Sequence, residues 1–391
     1  MGGFKSSEKS KFGGRPPGKI DASLNEKLKN VEWGEYKIGD LFKIENTQSF
    51  NADKLTIGNE YDYVTRTSIN QGVLQQTGFI NKENINLSGN WSLGLLQMDF
   101  FFRKKPWYAG QFVRKITPKF EITEKNVLFF SSILNKQKPV LLSVLVRHVD
   151  ETFKNIKIQL PTKNGEIDFE FMESFIAELE AERIAELSAY LSVSGLDNYE
   201  LSREEENALK DYDDVEWGKY KIGDLFEILS YKKRFDANKV IVNENGKYPY
   251  IVRMGSNNGQ KGYINENTEY LNDGNTISFG QDTATMYYQE QPYFTGDKIK
   301  ILKCKDNRFD KKNAQFFLCA MQKPFTTFSW GSSSFNIDTI ASQIIQLPTK
   351  NGEPDFATME TLISAVQKLV IKDVVLYADR KIKATKKVAA K

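Results

Sequence analysis

Histidine, cysteine and clustered carboxylates build most hydrolytic, redox and metal sites, and this chain of 391 residues is poor in the first two. It holds one histidine, His148, and two cysteines, Cys304 and Cys319. Neither a Cys/His zinc site nor a disulfide framework can be assembled from so few ligands. A Ser-His-Asp hydrolase would have to form around His148, and no nucleophile turn lies near it. A Mg²⁺-dependent nuclease needs clustered carboxylates with a lysine close by. The nearest match, Pro354-Asp355 with Glu360, falls where a helix cap is expected, and its duplicate at Ile167-Asp168 lacks the proline. The Gly-Lys-Ser/Thr of a phosphate-binding loop is missing at the required spacing. No catalytic residue and no metal ligand set is expected in this chain. What remains is recognition.

The elements that present recognising side chains must come from a folded protein, and the composition provides for one. The chain is 40% hydrophobic, 27% charged and 13% aromatic, enough for two or three domains. Residues 1–20 are basic and Gly/Pro-rich without an apolar core, unlike a secretory signal. The longest apolar run, Pro139 to Val146, is far short of the roughly 20 residues a membrane span needs. Lone cysteines suit a reducing compartment. A cytoplasmic protein without a membrane partner is expected.

Charge is distributed unevenly. Residues 164–216 carry 3 basic and 17 acidic groups, whereas residues 31–163 carry 18 and 13. Residues 217–379 carry 20 and 18, and residues 380–391 carry six basic groups and no acidic one. An acidic waist thus divides two mildly basic bodies, and a polyanion would be attracted to the bodies and repelled by the waist.

Those bodies are copies of each other. Val31-Glu32-Trp33-Gly34-Glu35-Tyr36-Lys37-Ile38-Gly39-Asp40-Leu41-Phe42 recurs from Val215 to Phe226 with 11 of 12 positions identical. Gln159-Leu160-Pro161-Thr162-Lys163-Asn164-Gly165-Glu166 recurs from Gln346 to Glu353. Between these anchors only a skeleton is shared. Tyr63-Val64-Thr65-Arg66 parallels Tyr250-Ile251-Val252-Arg253, and Asn70-Gln71-Gly72 parallels Asn257-Asn258-Gly259. Matched frames around diverged interiors point to one scaffold serving two targets.

Short alternating runs such as Gln111 to Ile116 and Thr276 to Phe279, separated by Gly and Asn, predict strands and tight turns. One helix is expected per body, at Thr123 to Leu134 and at Asp310 to Met321. After each Leu-Pro-Thr-Lys-Asn-Gly turn the period becomes helical. Asp168 and Asp355 are expected caps of helices whose apolar stripes include Phe175, Leu179 and Leu187, and Leu362, Val366 and Leu369. The simplest packing sets these two stripes against each other, and the alternative lays each helix on its own body. The expected architecture is α+β: two tandem, mixed, mostly β domains separated by paired antiparallel long α-helices, with pseudo-two-fold symmetry. The expected segments are 1–30, a basic lead-in; 31–163, the first body; 164–214, an acidic helical spacer; 215–350, the second body; and 351–391, a second helical spacer with a basic tail.

This duplicated order of motifs resembles the specificity (S) subunits of type I or BcgI-like restriction-modification enzymes. The resemblance spans residues 31–391 and is carried by the repeated Trp-Gly-x-Tyr-Lys-Ile-Gly-Asp-Leu-Phe opening and the Leu-Pro-x-x-x-Gly close. Lys261 to Asn265, Thr276 to Asp282 and the helix after each body add to it. In the first copy, Trp91 to Phe102 departs from the pattern of Thr276 to Tyr288. The resemblance implies two target-recognition domains, each reading one half of a bipartite site in double-stranded DNA. It implies a non-catalytic subunit whose helices dock DNA methyltransferase subunits, with a restriction or translocase subunit as a further partner. The implied cofactor, S-adenosylmethionine, belongs to the methyltransferase partner. A DNA amino-methyltransferase would itself need Asn/Asp-Pro-Pro-aromatic. Arg15-Pro16-Pro17-Gly18 and Lys105-Pro106-Trp107-Tyr108 lack the first residue of that motif.

Base edges and phosphates are read by Arg, Lys, Asn and Gln on loops. In the first body Arg66, Asn70, Gln71, Arg103, Lys104, Lys105, Arg114, Arg147 and His148 are candidate contacts. In the second they are Lys232, Lys233, Arg234, Arg253, Asn257, Asn258, Lys261, Gln281 and Trp330. Two other readings share these aromatic-rich β bodies: a tandem carbohydrate- or protein-binding module, and a stand-alone DNA-binding decoy.

Overall fold

The structure, a computed structural model, describes residues 22–326 and 335–389, with side chains at Ser23–Thr326 and Phe335–Thr385. It divides into two compact units, one comprising the chain up to Tyr190 together with its end from Ala378, the other Leu191–Tyr377. Each is β-rich and carries a long helix.

Both units have one topology. In unit one the opening strand Glu32–Lys37 pairs antiparallel with the closing strand Lys157–Lys163, which turns back into Glu166–Ile167. A four-stranded antiparallel sheet follows in the order Phe42–Asn46, Val113–Pro118, Asn90–Gly94, Phe100–Arg103. A third sheet places Val73–Thr77 beside Tyr61–Val64, which runs parallel to Trp107–Ala109. Unit two has the same three sheets: Trp217–Lys221 with Ile344–Lys350 and Glu353–Pro354; Phe226–Ser230, Ile299–Cys304, Thr276–Gly280 and Met286–Gln289; and Gln260–Tyr263, Pro249–Ile251 and Phe294–Thr295.

This pairing explains why the two sequence anchors are repeated. They are hydrogen-bonded neighbours: Trp33 lies opposite Pro161 and Gly34 opposite Leu160, as Trp217 lies opposite Pro348 and Gly218 opposite Leu347. A Cβ on Gly34 would come within 2.6 Å of Thr162 Oγ1, and one on Gly218 within 2.2 Å of Thr349 Oγ1. No larger residue fits there. The phenylalanine that ends each opening motif seeds the core. Phe42 meets the rings of Trp91, Phe120 and Phe130 edge-on at 5.7, 5.6 and 5.5 Å. Phe226 meets Phe309 and Phe317 at 5.6 and 5.5 Å. Such pairs add about 0.5–1.5 kcal/mol each beyond their buried area.

The expected helices form, with their caps. Thr123 accepts from the Asn126 amide at the start of Glu124–Lys136. Asp310 closes a capping box on Lys311–Phe325, which runs on past the expected Met321. Asp168 and Asp355 accept from the amides of Phe171 and Thr358 at 2.8 and 3.1 Å and cap Phe169–Val193 and Phe356–Ala389. Both carboxylates therefore serve as helix caps. Glu360, the nearby acid, accepts from Asn313 at 3.1 Å.

The apolar stripes begin on the bodies that the helices leave. Each helix leaves its closing strand through a tight Asn-Gly hairpin, Asn164-Gly165 or Asn351-Gly352, with positive φ at both residues. That turn lays the first helical turns on the body just left. Met172, Phe175 and Ile176 are buried in the unit-one core, and Leu179 packs against it. Phe356 and Met359 are buried in the unit-two core, and Leu362 is likewise buried. Phe175 and Leu362 are therefore not available for docking. Leu187 is half-buried. Val366, Leu369 and Val370 stay exposed at 48%, 50% and 73%.

A short helix precedes each opening strand: Ala22–Asn30 in unit one and Arg203–Lys210 in unit two. Each is tied to its unit's long helix by an ion pair of opposite polarity. Lys27 meets Glu178 at 2.5 Å with both side chains 47% exposed. Glu205 meets Lys368 at 2.8 Å and Ser364 at 2.5 Å, and only 8% of its side chain is exposed. Burial pushes the Glu205 carboxyl up, but the bonds from Lys368, Ser364 and the Ser202 amide bring it down to about 2.

Candidate nucleic-acid interface

In both units the parallel strand pair opens a cleft at the same place. Gly110 donates its amide to Val64 and Gly296 to Ile251, each at 2.8 Å. This brings the end of the third sheet beside Arg66 in unit one and Arg253 in unit two. The buried Tyr63 hydroxyl donates to the Phe50 carbonyl at 2.7 Å, and Tyr250 does the same to Phe235. A Cβ at Gly110 would stand 3.0 Å from the Tyr63 hydroxyl, and one at Gly296 3.2 Å from that of Tyr250. The unit-one cleft, about 700 Å³, is lined by Arg66, Thr67, Ser68, Ile69, Leu96 and Gln111 among others. The unit-two cleft, about 500 Å³, is lined by Arg234, Asp236, Arg253, Thr283 and Asp297 among others.

The loops over the clefts align residue by residue, and this resolves the segment where the first copy departs from the second. Strands Asn90–Gly94 and Thr276–Gly280 occupy the same place in their sheets. The next loops close alike: Met98 N to Gly94 O and Ala284 N to Gly280 O, both 2.8 Å. Leu95 N bonds Phe112 O and Gln281 N bonds Lys298 O, both at 2.9 Å. Phe112 and Lys298 share a left-handed backbone, at φ 60° and 56°. Leu96 therefore stands where unit two has Asp282, and Phe112 where it has Lys298.

The chemistry at those positions differs. The Arg66 guanidinium stacks on the Phe112 ring, 5.4 Å from its centre. Arg253 is bonded to Asp282, which Lys298 also holds at 2.9 Å. Lys298 first, and Arg253 with it, keep the Asp282 carboxyl below its usual range. Arg234 adds a looser pair with Asp297 at 3.5 Å. None of Leu96, Phe112, Asp282 and Lys298 is among the contacts expected from the sequence. Registering Gly94 on Gly280 would have found all four.

Of the residues expected to touch DNA, Arg66, Arg234 and Arg253 line the clefts, and Gln281 begins the unit-two loop. Its side chain is taken up by the Phe335 carbonyl at 2.8 Å. Asn70, Gln71, Asn257 and Asn258 form left-handed turns, with φ between 48° and 53°. Asn70 and Asn257 close these turns by donating to the carbonyls of Val73 and Gln260, at 3.1 and 2.7 Å. Asn258 donates to the Tyr288 carbonyl at 3.1 Å.

Arg103 requires a correction. Expected as the first of a basic loop run, it is the last residue of its strand and 3% exposed. Its Nε donates to Ser92 at 2.9 Å and its Nη2 to the Gln71 carbonyl. Burial lowers its guanidinium to about 10. Gln289 in unit two makes the same two ties, to Ser278 and to the Asn258 carbonyl, each at 3.1 Å. The position fastens the turn to the sheet.

The remaining candidates lie outside the cleft linings. Lys104 is exposed, with Glu124 at 3.8 Å, and Lys105 pairs with Asp62 at 3.0 Å. Arg114 is half-buried against Asp150 at 2.9 Å. Arg147 and His148 sit together on an exposed turn, Val146–His148. Lys232 and Lys261 are exposed, and Lys233 lies over the Tyr270 ring at 4.4 Å. Trp330 lies outside the described residues.

Among the described residues no cluster of His, Cys, Asp and Glu is placed to hold a metal ion, and no helix is long and apolar enough to cross a membrane. The sequence is 23% identical over 355 residues to S.BcgI, a type II restriction enzyme specificity subunit from Heyndrickxia coagulans, covering 87% of this chain and 96% of that one. The fold is similar to that of the S subunit of a type I restriction-modification system from M. genitalium. The TM-score is 0.54 at 13% identity, covering 92% and 94% of the two chains. Residues 30–189 and 214–375 each match the type I restriction modification DNA specificity domain, and the chain belongs to that family with two copies in tandem.

Proposed function

We propose that this chain is the sequence-reading subunit of a cytoplasmic restriction-modification complex, each unit reading one half of a bipartite site in double-stranded DNA. The observation that carries this reading is the duplicated cleft, with an arginine at the same position in each copy and different side chains around it. An arginine at a groove offers the bidentate donors that a guanine edge accepts. Exposed lysines outside the clefts, such as Lys104, Lys232 and Lys261, are suited to phosphates, which position the protein without reading sequence. The exposed stripe at Val366, Leu369 and Val370 is the surface offered to the DNA methyltransferase subunit, and a restriction or translocase subunit completes the assembly. S-adenosylmethionine is held by that methyltransferase subunit, which supplies the methyl group; this chain positions the DNA. A glycan-binding module would have little use for the long helices, which favours the DNA reading.

The test is methylome sequencing of a host carrying the complete system. Exchanging residues 43–158 for those of a relative should change one half of the methylated motif, and this identifies the unit-one half. Arg66→Ala should relax that half and Arg253→Ala the other. Changes in both halves from either variant would overturn the reading.

A further inference from the structure

The two clefts share a backbone but differ at the two positions that frame the arginine. In unit one these are Leu96, 58% exposed, and Phe112, 52% exposed, with Ile69 beside them in the cleft at 79%. Exposed apolar side chains are ordinary when scattered. Here Ile69 and Leu96 line one cleft with Arg66, and Phe112 is held against its guanidinium by a left-handed backbone that a bulky residue rarely adopts. In unit two the same two positions carry Asp282 and Lys298, ion-paired with each other, and Asp282 also pairs with Arg253.

In the DNA major groove only thymine presents an apolar group, its 5-methyl, while guanine presents the O6/N7 acceptor pair to which arginine donates bidentately. We infer that unit one reads a thymine methyl with Leu96 and Phe112, beside a base edge bonded by Arg66, and that unit two has no such readout. The charged pair at Asp282 and Lys298 would desolvate at a cost against a methyl group. It instead fixes the guanidinium of Arg253 in one orientation. This inference rests on the clefts being the reading surfaces.

The experiment uses the assembled complex and synthetic duplexes carrying the mapped site. Each thymine is replaced in turn by deoxyuridine, which removes one methyl group and nothing else. Binding is measured by competition. One replacement in the unit-one half should weaken binding about three- to five-fold, the size of one buried methyl contact. Replacements in the unit-two half should change it by less than about 1.5-fold, below that same contact. In a Leu96→Ala complex the unit-one effect should vanish, and in Leu96→Met, which keeps an apolar contact, it should persist. A unit-one half that is insensitive to every replacement, or that contains no thymine, overturns the inference. So does a sensitivity unchanged in a Leu96→Ala/Phe112→Ala double variant. Arg66→Ala on the same duplexes separates the two levels. If it weakens binding while deoxyuridine does not, the methyl readout alone falls; if it leaves binding unchanged, the cleft itself is not the reader.

Discussion

Unit one stacks its cleft arginine on an aromatic ring with a leucine lining the same cleft, and unit two pairs the equivalent arginine with an aspartate that a lysine also holds. The backbones beneath are the same, down to unusual conformations. Positive φ recurs at Asn70 and Asn257, Gln71 and Asn258, Met98 and Ala284, and Phe112 and Lys298. A non-glycine residue in that region costs roughly 1–2 kcal/mol. Residues as different as Phe and Lys would not both favour it. The hydrogen bonds shared by the loops, not the side chains on them, hold these conformations. The comparison teaches that duplication left the frame rigid and allowed the reading positions to change. Opposite outcomes in the two units are therefore the most informative experiments.

The largest contrast is expected at the clamps between each short helix and its long helix. Glu205 is buried with Lys368, so Glu205→Ala leaves a lysine ammonium largely out of water, at a cost of about 3 kcal/mol in unit two. Lys27→Ala removes an exposed pair and should cost less than about 1 kcal/mol in unit one. Hydrogen exchange across the full chain, resolved by unit, measures both. Equal losses would show that the clamps are equivalent despite their different burial.

The same clamp makes a pH contrast. The folded Glu205 carboxyl titrates near 2, below its unfolded value, so it stabilises unit two above the unfolded value. That contribution is lost as pH falls from about 4.5 toward 2. In Glu205→Gln the deficit at pH 7, about 2 kcal/mol, should shrink across that window. A deficit independent of pH would mean that the pair does not depend on the charge of Glu205.

Arg103 comes next. Arg103→Ala removes the donors that reach the buried Ser92 hydroxyl and the Gln71 carbonyl, at a cost of about 2 kcal/mol. Arg103→Gln should recover most of that loss, because Gln289 makes the corresponding ties in unit two. Thermal unfolding reads the stability, and the methylated motif should stay unaltered in the glutamine variant. A changed unit-one half-site in Arg103→Gln would restore Arg103 as a DNA contact.

Arg103 also marks how far the sequence can be read. The repeat, the caps at Thr123, Asp168, Asp310 and Asp355, and the long helices were legible, because each depends on neighbours close in the chain. The side of a strand on which an arginine lies is decided by pairing with a distant strand, and a three-residue basic run gives no sign of it. The cleft was hidden for the same reason. Arg66, Leu96 and Phe112 come to one end of the unit because Tyr61–Val64 pairs in parallel with Trp107–Ala109 and Asn90–Gly94 pairs with Val113–Pro118. The helix stripes were legible as apolar, and the Asn-Gly hairpins at Asn164-Gly165 and Asn351-Gly352 decide that their first turns lie on the body just left.

The smallest effects should fall on the turn asparagines, and here the two units should behave alike. Asn70 and Asn257 adopt left-handed backbone and donate their side-chain amides to carbonyls three residues on. Glycine loses that bond, worth about 1 kcal/mol, but enters the left-handed region without the penalty a side chain carries. The two terms nearly cancel, so Asn70→Gly and Asn257→Gly should each shift stability by less than about 0.5 kcal/mol. Neither should change the methylated motif. Were these residues reading bases, each loss would weaken recognition of its own half-site by about 1–3 kcal/mol while leaving the fold intact. Measuring unfolding and half-site discrimination on the same two variants separates the roles. A turn residue moves neither readout; a base contact moves only the second, and only in its own half.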